Sequence, residues 1–299
     1  MPSNNSNSPI QKLKQKDFPP ALMKISNPPK QLYYKGVLPA FDKSWIAIVG
    51  TRRPSPFGEA ICKALIHSLK NTDAVVVSGL AQGIDSFCHE AALAEGLPTI
   101  AVVAQGLGIP FGGSREILAR KIIEARGGVI SEYEESIPSQ KFTYPARNRI
   151  IAGLSKSTTV VESKLKGGAL ITAGFAIVSN RKLLCIPGSI LSETSQGTNR
   201  LIKTKQAEAI WNAEDFPDLA GAKKSGDLTK SSAAKTGIKL SPKAESVFNA
   251  NAGFTPTLSE ILESSGFAIA ELLAILTELE IAGLVQSKEG DAFHFSPLE

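Results

Sequence analysis

From Trp45 onwards, short apolar runs alternate with longer amphipathic ones, and several of the apolar runs end on glycine or another small residue. The runs 45–49, 74–77, 99–104, 129–131, 158–162 and 182–186 have strand length, and the stretches between them carry helix signals. Ser55 can cap a helix that has Pro56 at its first position and Phe57, Ala60, Ile61, Ala64 and Leu65 as its buried stripe. Asp85 is expected to cap the next helix, which Gly96 stops. A helix over 117–126 is closed by Gly127 and Gly128, and further helices are predicted near 149–154 and 170–180. Strands this continuously apolar are buried on both faces, which requires a parallel sheet with helices on each side. The prediction is a doubly wound, mostly parallel α/β fold of Rossmann-like type.

That domain is expected to cover residues 44–216. Before it, residues 1–16 are polar and read as disordered. Residues 17–43, with Pro19, Pro20, Pro28, Pro29 and Pro39, read as an extended lead-in. After it, residues 217–243 are rich in Gly, Ser, Ala and Lys and read as a linker. Residues 244–299 form a small second unit that begins with a helix from Pro242. Thr257 and Glu260 then make a capping box. A helix over 268–281 buries Leu272, Leu276 and Leu279 and stops at Gly283. A hairpin joins 284–285 to 292–295 across KEGD. Three helices and a hairpin predict a winged helix.

Charge divides along the same line. Residues 244–299 hold one cation, Lys288, against nine carboxylates, a net −8; the whole chain is +5, which leaves +13 on residues 1–243. The two parts are therefore expected to meet different partners, and the basic one is compatible with nucleic acid. A hydrophobic content of 42% suits a folded globular protein. No unbroken apolar run reaches the roughly 18 residues of a membrane span, and the N-terminus carries no secretory signal. Cys62, Cys88 and Cys185 form no CxxC pair or disulfide framework. The reading is a cytoplasmic protein with no membrane association.

In doubly wound sheets ligands bind beyond the carboxyl ends of the strands. The segments there are GTRRPS, SGLAQGID, QGLG, KFTYPARNRIIAGLS, ESKLKGGALITA and IPGS. Gly50, Gly79, Gly167 and Gly168 allow close backbone approach, and helix N-termini direct N–H groups toward anions. Thr51, Ser78 and Thr172 add hydroxyls; Arg52, Arg53, Lys141, Arg147 and Arg149 add charge. No acidic residue lies between Glu135 and Glu162 to neutralise the cluster around Tyr144. One of Arg147 and Arg149 is nevertheless expected to pair internally with Glu132 or Glu162. After Gly106 and Gly108 the dinucleotide fingerprint fails at Phe111, and no GxxxxGK[ST] exists. Cations on several loops suit a chain of phosphates, and Tyr144 between Lys141 and Arg147 offers a face for an unpaired base. Tyr144 could instead simply pack beside Pro145.

GTRRPSPFG, VVSGLAQGIDSFCHEAAL, TIAVVAQGLG, ISEY, YPARNRIIAGLS, VVESKLKGGALITA and IPGS, in this order, resemble the DNA-processing protein A (DprA/Smf) family. The resemblance covers about residues 45–210, extends weakly into the lead-in, and resumes in the winged helix. It implies single-stranded DNA binding, delivery of the strand to the recombinase RecA in natural transformation or recombination, and a homodimer. By motif position the DNA contacts would be Arg52, Lys141, Tyr144 and Arg147, with Asn148 inside the same RNR motif. Three features depart from the family pattern. Tyr144 stands where phenylalanine is usual, and IPFGGS (109–114) replaces a tyrosine–proline loop. KTKQA (203–207) stands where glycine–alanine is expected. The extra N-terminal helical domain of some members has no counterpart in these residues.

The acidic second unit is expected to be a poor DNA groove reader, because Glu271, Glu278 and Glu280 would repel phosphates. A protein-contact or autoregulatory role fits it better. No catalytic residue, metal or cofactor is expected. Asp85 and His89 read as a helix cap and a structural histidine rather than an acid–base pair. Adjacent Cys88 and His89 point apart and make poor metal ligands. The alternative is a nucleotide-processing hydrolase of phosphoribohydrolase type using Glu132 and Glu162, but its PGGxGTxxE signature is missing.

Overall fold

The computed structural model describes residues 9–224, 241–251, 255–282, 284–288 and 291–295. It divides into two units, Met1–Ser225 and Gly226–Glu299.

The first unit is built on the alternation of its strands. In β3 (Ser44–Val49), Trp45, Ala47 and Val49 enter one apolar cluster while Ile46 and Ile48 enter another. β4 (Ala74–Ser78) does the same, with Val75 and Val77 against Ala74 and Val76. A strand whose side chains alternate between two cores must lie inside a three-layer structure. Helices α2 (Pro56–Ser68) and α3 (Ile84–Ala94) cover one face. Helices α5 (Thr143–Leu154) and α6 (Ala169–Val178) cover the other.

Strands β5 (Thr99–Val103), β6 (Gly128–Ser131), β7 (Ser157–Val160), β8 (Lys182–Cys185) and β9 (Glu208–Ala209) complete a parallel set, with α4 (Gly113–Glu124) before β6 and α7 (Gln196–Lys203) before β9. The order runs β6-β5-β4-β3-β7-β8-β9. Winding proceeds outward from β3 to β6 and then jumps to β7 on the other side of β3, which places a topological switch point between β3 and β7.

The lead-in departs from the expectation. It does not run free: Gln11–Lys14 (β1) and Gln31–Gly36 (β2) add two antiparallel strands, β2 pairing with β6 through Tyr33–Ser131 and Gly36–Gly128. Between them lies the short helix α1 (Pro20–Met23). Leu22 and Ile25 pack so closely on α5 that a Cβ at Gly153 would lie 2.9 Å from each. The sheet therefore begins at residue 11 rather than 44. At the other end, α8 (Phe216–Ala220) buries Phe216 completely. The Lys223 carbonyl accepts from Asp73 N at 2.8 Å, so residues 217–224 belong to this unit and not to a linker. Residues 225–240 of the expected linker, 1–8 of the expected tail, and the Gly283 stop lie outside the described residues.

Two helix readings change. The buried stripe of α2 is Gly58, Cys62, Leu65 and Ile66, with Phe57 46% exposed. Asp85 is not the cap of α3: Gly83, at φ 85°, takes that position and leaves Asp85 buried in the first turn. Cys62 and Cys88 meet across the α2–α3 contact with sulfurs 3.4 Å apart, and Cys185 is buried as well.

The second unit has its own core. Helices α9 (Pro242–Asn251), α10 (Leu258–Ser265) and α11 (Ile269–Ile281) precede the hairpin of β10 (Val285–Lys288) and β11 (Ala292–Phe295). Leu272, Leu276, Leu279 and Phe295 are buried together. The capping box at Thr257 forms as expected. Two of the three α11 carboxylates make contacts within the unit, while Glu280 is exposed. Glu278 accepts from Ser241 N at 2.6 Å and from its hydroxyl at 2.8 Å, and Glu271 pairs with Lys243. The outward side of α11 carries Ile269 and Leu273, 55% and 44% exposed, beside Ala270, Ala274 and Thr277.

Candidate nucleic-acid interface

The switch point is open. A cavity of about 700 Å³ lies there, walled by Val49, Gly50, Thr51 and Arg52 after β3 and by Lys164, Lys166, Gly167, Gly168 and Thr172 around the start of α6. Its remaining walls include Asp85, Lys141 just before α5, and Tyr144, Arg147 and Asn148 in its first turns. That helix begins at Thr143, six residues earlier than the apolar pattern implied, because Thr143 Oγ1 donates back to the Gln140 carbonyl at 2.8 Å. Tyr144 and Arg147 thus stand three residues apart on one side of a first turn.

The cationic residues differ in their freedom. Arg52 is exposed, and its guanidinium carbon stands 5.4 Å from the Tyr144 ring centroid, a cation–π distance. Lys141 and Lys166 are exposed and have no ion-pair partner among the described residues. Lys164 pairs with Glu193. Arg149 points inward and pairs with Glu132 at 2.6 Å, the internal pairing expected of one member of the RNR motif.

Arg147 is buried, at 6% exposure. Its Nη1 donates to the carbonyls of Gly79 and Val102, at the ends of β4 and β5, and its Nε donates to Asn148 Oδ1 at 3.0 Å. Burial lowers its pKa from the usual arginine value, with the Asp85 carboxylate opposing. Burial likewise raises the Asp85 carboxyl, with the Arg147 guanidinium the foremost opposing influence. The two influence each other through charge and both line the cavity, while the bonds from Arg147 to the Gly79 and Val102 carbonyls tie α5 to the sheet.

The other expected residues sort into three groups. Thr51, Gly167, Gly168 and Thr172 line the cavity, and a Cβ at Gly168 would meet nothing within 4 Å. Gly50 also faces it and Gly79 does not, and protein occupies the space beside each: Ile84 Cγ1 at 2.4 Å and Arg147 Nη1 at 2.5 Å from an added Cβ. Their missing side chains make room for packing as well as for a ligand. Ser78 and Arg53 do not join the site. Ser78 is fully buried, its hydroxyl donating to the Ile48 carbonyl at 2.6 Å; Arg53 is exposed but lines no part of the cavity. Lys164 and Lys166 were missed, although their ESKLKGG segment follows β7 and its two lysines were a readable signal. His89 plays no part: it is buried, with Nδ1 2.7 Å from Thr99 Oγ1. Among the described residues no group of His, Cys, Asp and Glu could hold a metal, and no helix is long and apolar enough to cross a membrane.

The arrangement suits a polyanion with an aromatic group: mobile cations, open backbone and one half-exposed ring in a single concavity. Comparison with known proteins points the same way. The family profile of DNA recombination-mediator protein A matches residues 10–220, and that of the DprA winged helix domain matches residues 232–291. Protein Smf of Escherichia coli is 32% identical over 91% of this chain and 74% of its own length. DNA processing protein DprA of Streptococcus pneumoniae is 39% identical over 66% of this chain and 69% of its own. The solved structure of DNA processing protein A from Helicobacter pylori, reported for its single-stranded DNA binding mode, aligns with TM-score 0.64 at 30% identity, over 76% of this chain and 98% of that one.

Proposed function

The chain belongs to the DNA recombination-mediator protein A family, and from that premise we propose that it binds single-stranded DNA without catalysis or cofactor. Phosphates lie across the strand ends, held by Arg52, Lys141 and Lys166 and by N–H groups of the Gly167–Gly168 segment. A base stacks on Tyr144. Arg147 holds the site together from beneath as well as adding charge. The observation that carries this reading is the convergence of Arg52, Lys141, Tyr144 and the 164–172 segment on one cavity.

Carboxylates that a hydrolase would need are engaged elsewhere. Glu162 accepts from the Ser55 amide at 2.9 Å and its hydroxyl at 2.5 Å, and Glu132 is paired with Arg149. With few base-edge donors in the cavity, binding is nearly indifferent to sequence. Gel-shift titration of single- and double-stranded oligonucleotides at two ionic strengths tests the reading; preference for duplex overturns it.

Family membership also supports a cytoplasmic homodimer that delivers its strand to RecA in natural transformation or recombination. Ile190, Leu191 and Trp211, 87%, 91% and 79% exposed, offer apolar surface for association. Sedimentation analysis and a RecA filament-assembly assay check these two steps. A protein-contact role for the winged helix is favoured by the apolar outward side of α11.

A further inference from the structure

Arg52, Ala81, Tyr144 and Arg147 wall a second cavity as well as the first. It holds about 320 Å³ and opens toward the 109–114 loop, its far side formed by Gln105, Phe111, Gly112 and Arg115. The loop is held in place deliberately: Gln105 Nε2 donates to the carbonyls of Ile109 and Pro110 at 2.9 and 3.3 Å. Phe111 N donates to Glu116 Oε2 at 2.7 Å. Helix α4 then starts beside the cavity with Gly112 as its cap, and no side chain accepts from its first N–H groups.

Arg115 lies in that first turn. Its guanidinium carbon stands 6.0 Å from the Phe111 ring centroid. Its Nε is buried with no hydrogen-bond partner among the described residues, an arrangement that leaves a donor unmet. No carboxylate lines this cavity. Arg52 and Arg115 are both close enough to lower the Arg147 pKa, after burial and against the pull of Asp85. Three guanidinium groups around one acid-free concavity repel each other unless an anion sits among them.

We propose that this second cavity takes the neighbouring phosphodiester of the same single strand, with Arg115 as its contact, so that the strand passes over Tyr144 from the Lys141 side to the 109–115 loop. The inference rests on the single-strand reading above and extends its footprint.

The test is equilibrium binding of a fluorescent oligothymidylate by the full chain over a salt series, for wild type, Arg115→Ala, Arg115→Lys and Lys141→Ala. The slope of log affinity against log salt should fall by about 0.7 for each lost phosphate contact on a single strand. Arg115→Ala is expected to show that fall and Arg115→Lys to restore most of the slope. If Arg115→Ala keeps the wild-type slope while Lys141→Ala lowers it, the second contact is refuted and the first site stands. If neither changes the slope, the single-strand reading itself fails. Should Arg115→Ala shift the thermal midpoint, Arg115→Gln, which keeps the stem over Phe111, is scored in its place by the same criterion.

Discussion

The concave rim of the sheet unit and the outward side of α11 in the winged helix are surfaces of opposite chemistry. At the rim, Arg52, Lys141 and Lys166 keep free charge beside an aromatic ring. On α11, Glu271 and Glu278 contact Lys243 and Ser241, and the exposed residues are Ile269, Ala270, Leu273, Ala274, Thr277 and Glu280. Net charge alone would describe the second unit as an acidic face. Instead, two of its three α11 carboxylates serve contacts within the unit. The helix is unsuited to groove reading because it lacks donors and because its unit keeps a net negative charge.

The contrast can be broken at either surface. The largest effect is expected at Arg147. Arg147→Ala leaves the buried carbonyls of Gly79 and Val102 without their side-chain donor and should cost about 1–3 kcal/mol for each, read as a lower urea midpoint. Arg52→Ala, at an exposed position, should stay within about 0.5 kcal/mol of wild type; equal losses would mean that the rim has no division between scaffold and contact. Tyr144→Ala should weaken oligonucleotide affinity by about 1–3 kcal/mol with little change in salt slope, and a large slope change would count against stacking. Acid should erode the sheet unit through His89, whose burial lowers its pKa from 6.5 to about 3. The unfolded chain takes up that proton first, so stability is complete above about pH 6.5. Below it, stability should fall by about 1.4 kcal/mol per pH unit until about pH 3. His89→Gln should flatten that limb in urea titrations at stepped pH. Lys141→Ala should lower the salt slope by about 0.7. The smallest effect belongs to α11: Leu273→Ser should leave oligonucleotide binding unchanged, and a measurable loss would place DNA on the winged helix.

The sheet's central strands were legible because parallel burial writes itself as unbroken apolar runs, and the Ser55 cap and the glycine stops around them followed. β1 and β2 were not, since antiparallel strands toward a sheet edge need no continuous apolar character: QKLK lies in the polar stretch read as disordered, and QLYYKG sits among prolines and reads as an extended approach. The α2 stripe slipped by one residue because Phe57 outweighed Gly58 and Cys62 on hydrophobicity alone. At the site, residue type and strand-end position identified Arg52, Lys141 and Tyr144. Direction could not be read: nothing in the string YPARNR says that Arg147 turns to backbone carbonyls and Arg149 to Glu132. Asp85 was drawn into the wrong role for a similar reason, because Gly83 can adopt a positive φ and start the helix before it.

The three cysteines, all of them in the sheet unit, have no route to reagent while that unit is closed. Burial holds Cys185 up to about 12 and Cys88 well above the ordinary thiol range, so neither is a thiolate at neutral pH. Alkylation kinetics therefore clock the opening of the sheet unit alone, and the winged helix, which has no sulfhydryl, can come and go unseen. One chemical label thus reads the lifetime of the larger unit free of any contribution from the smaller one.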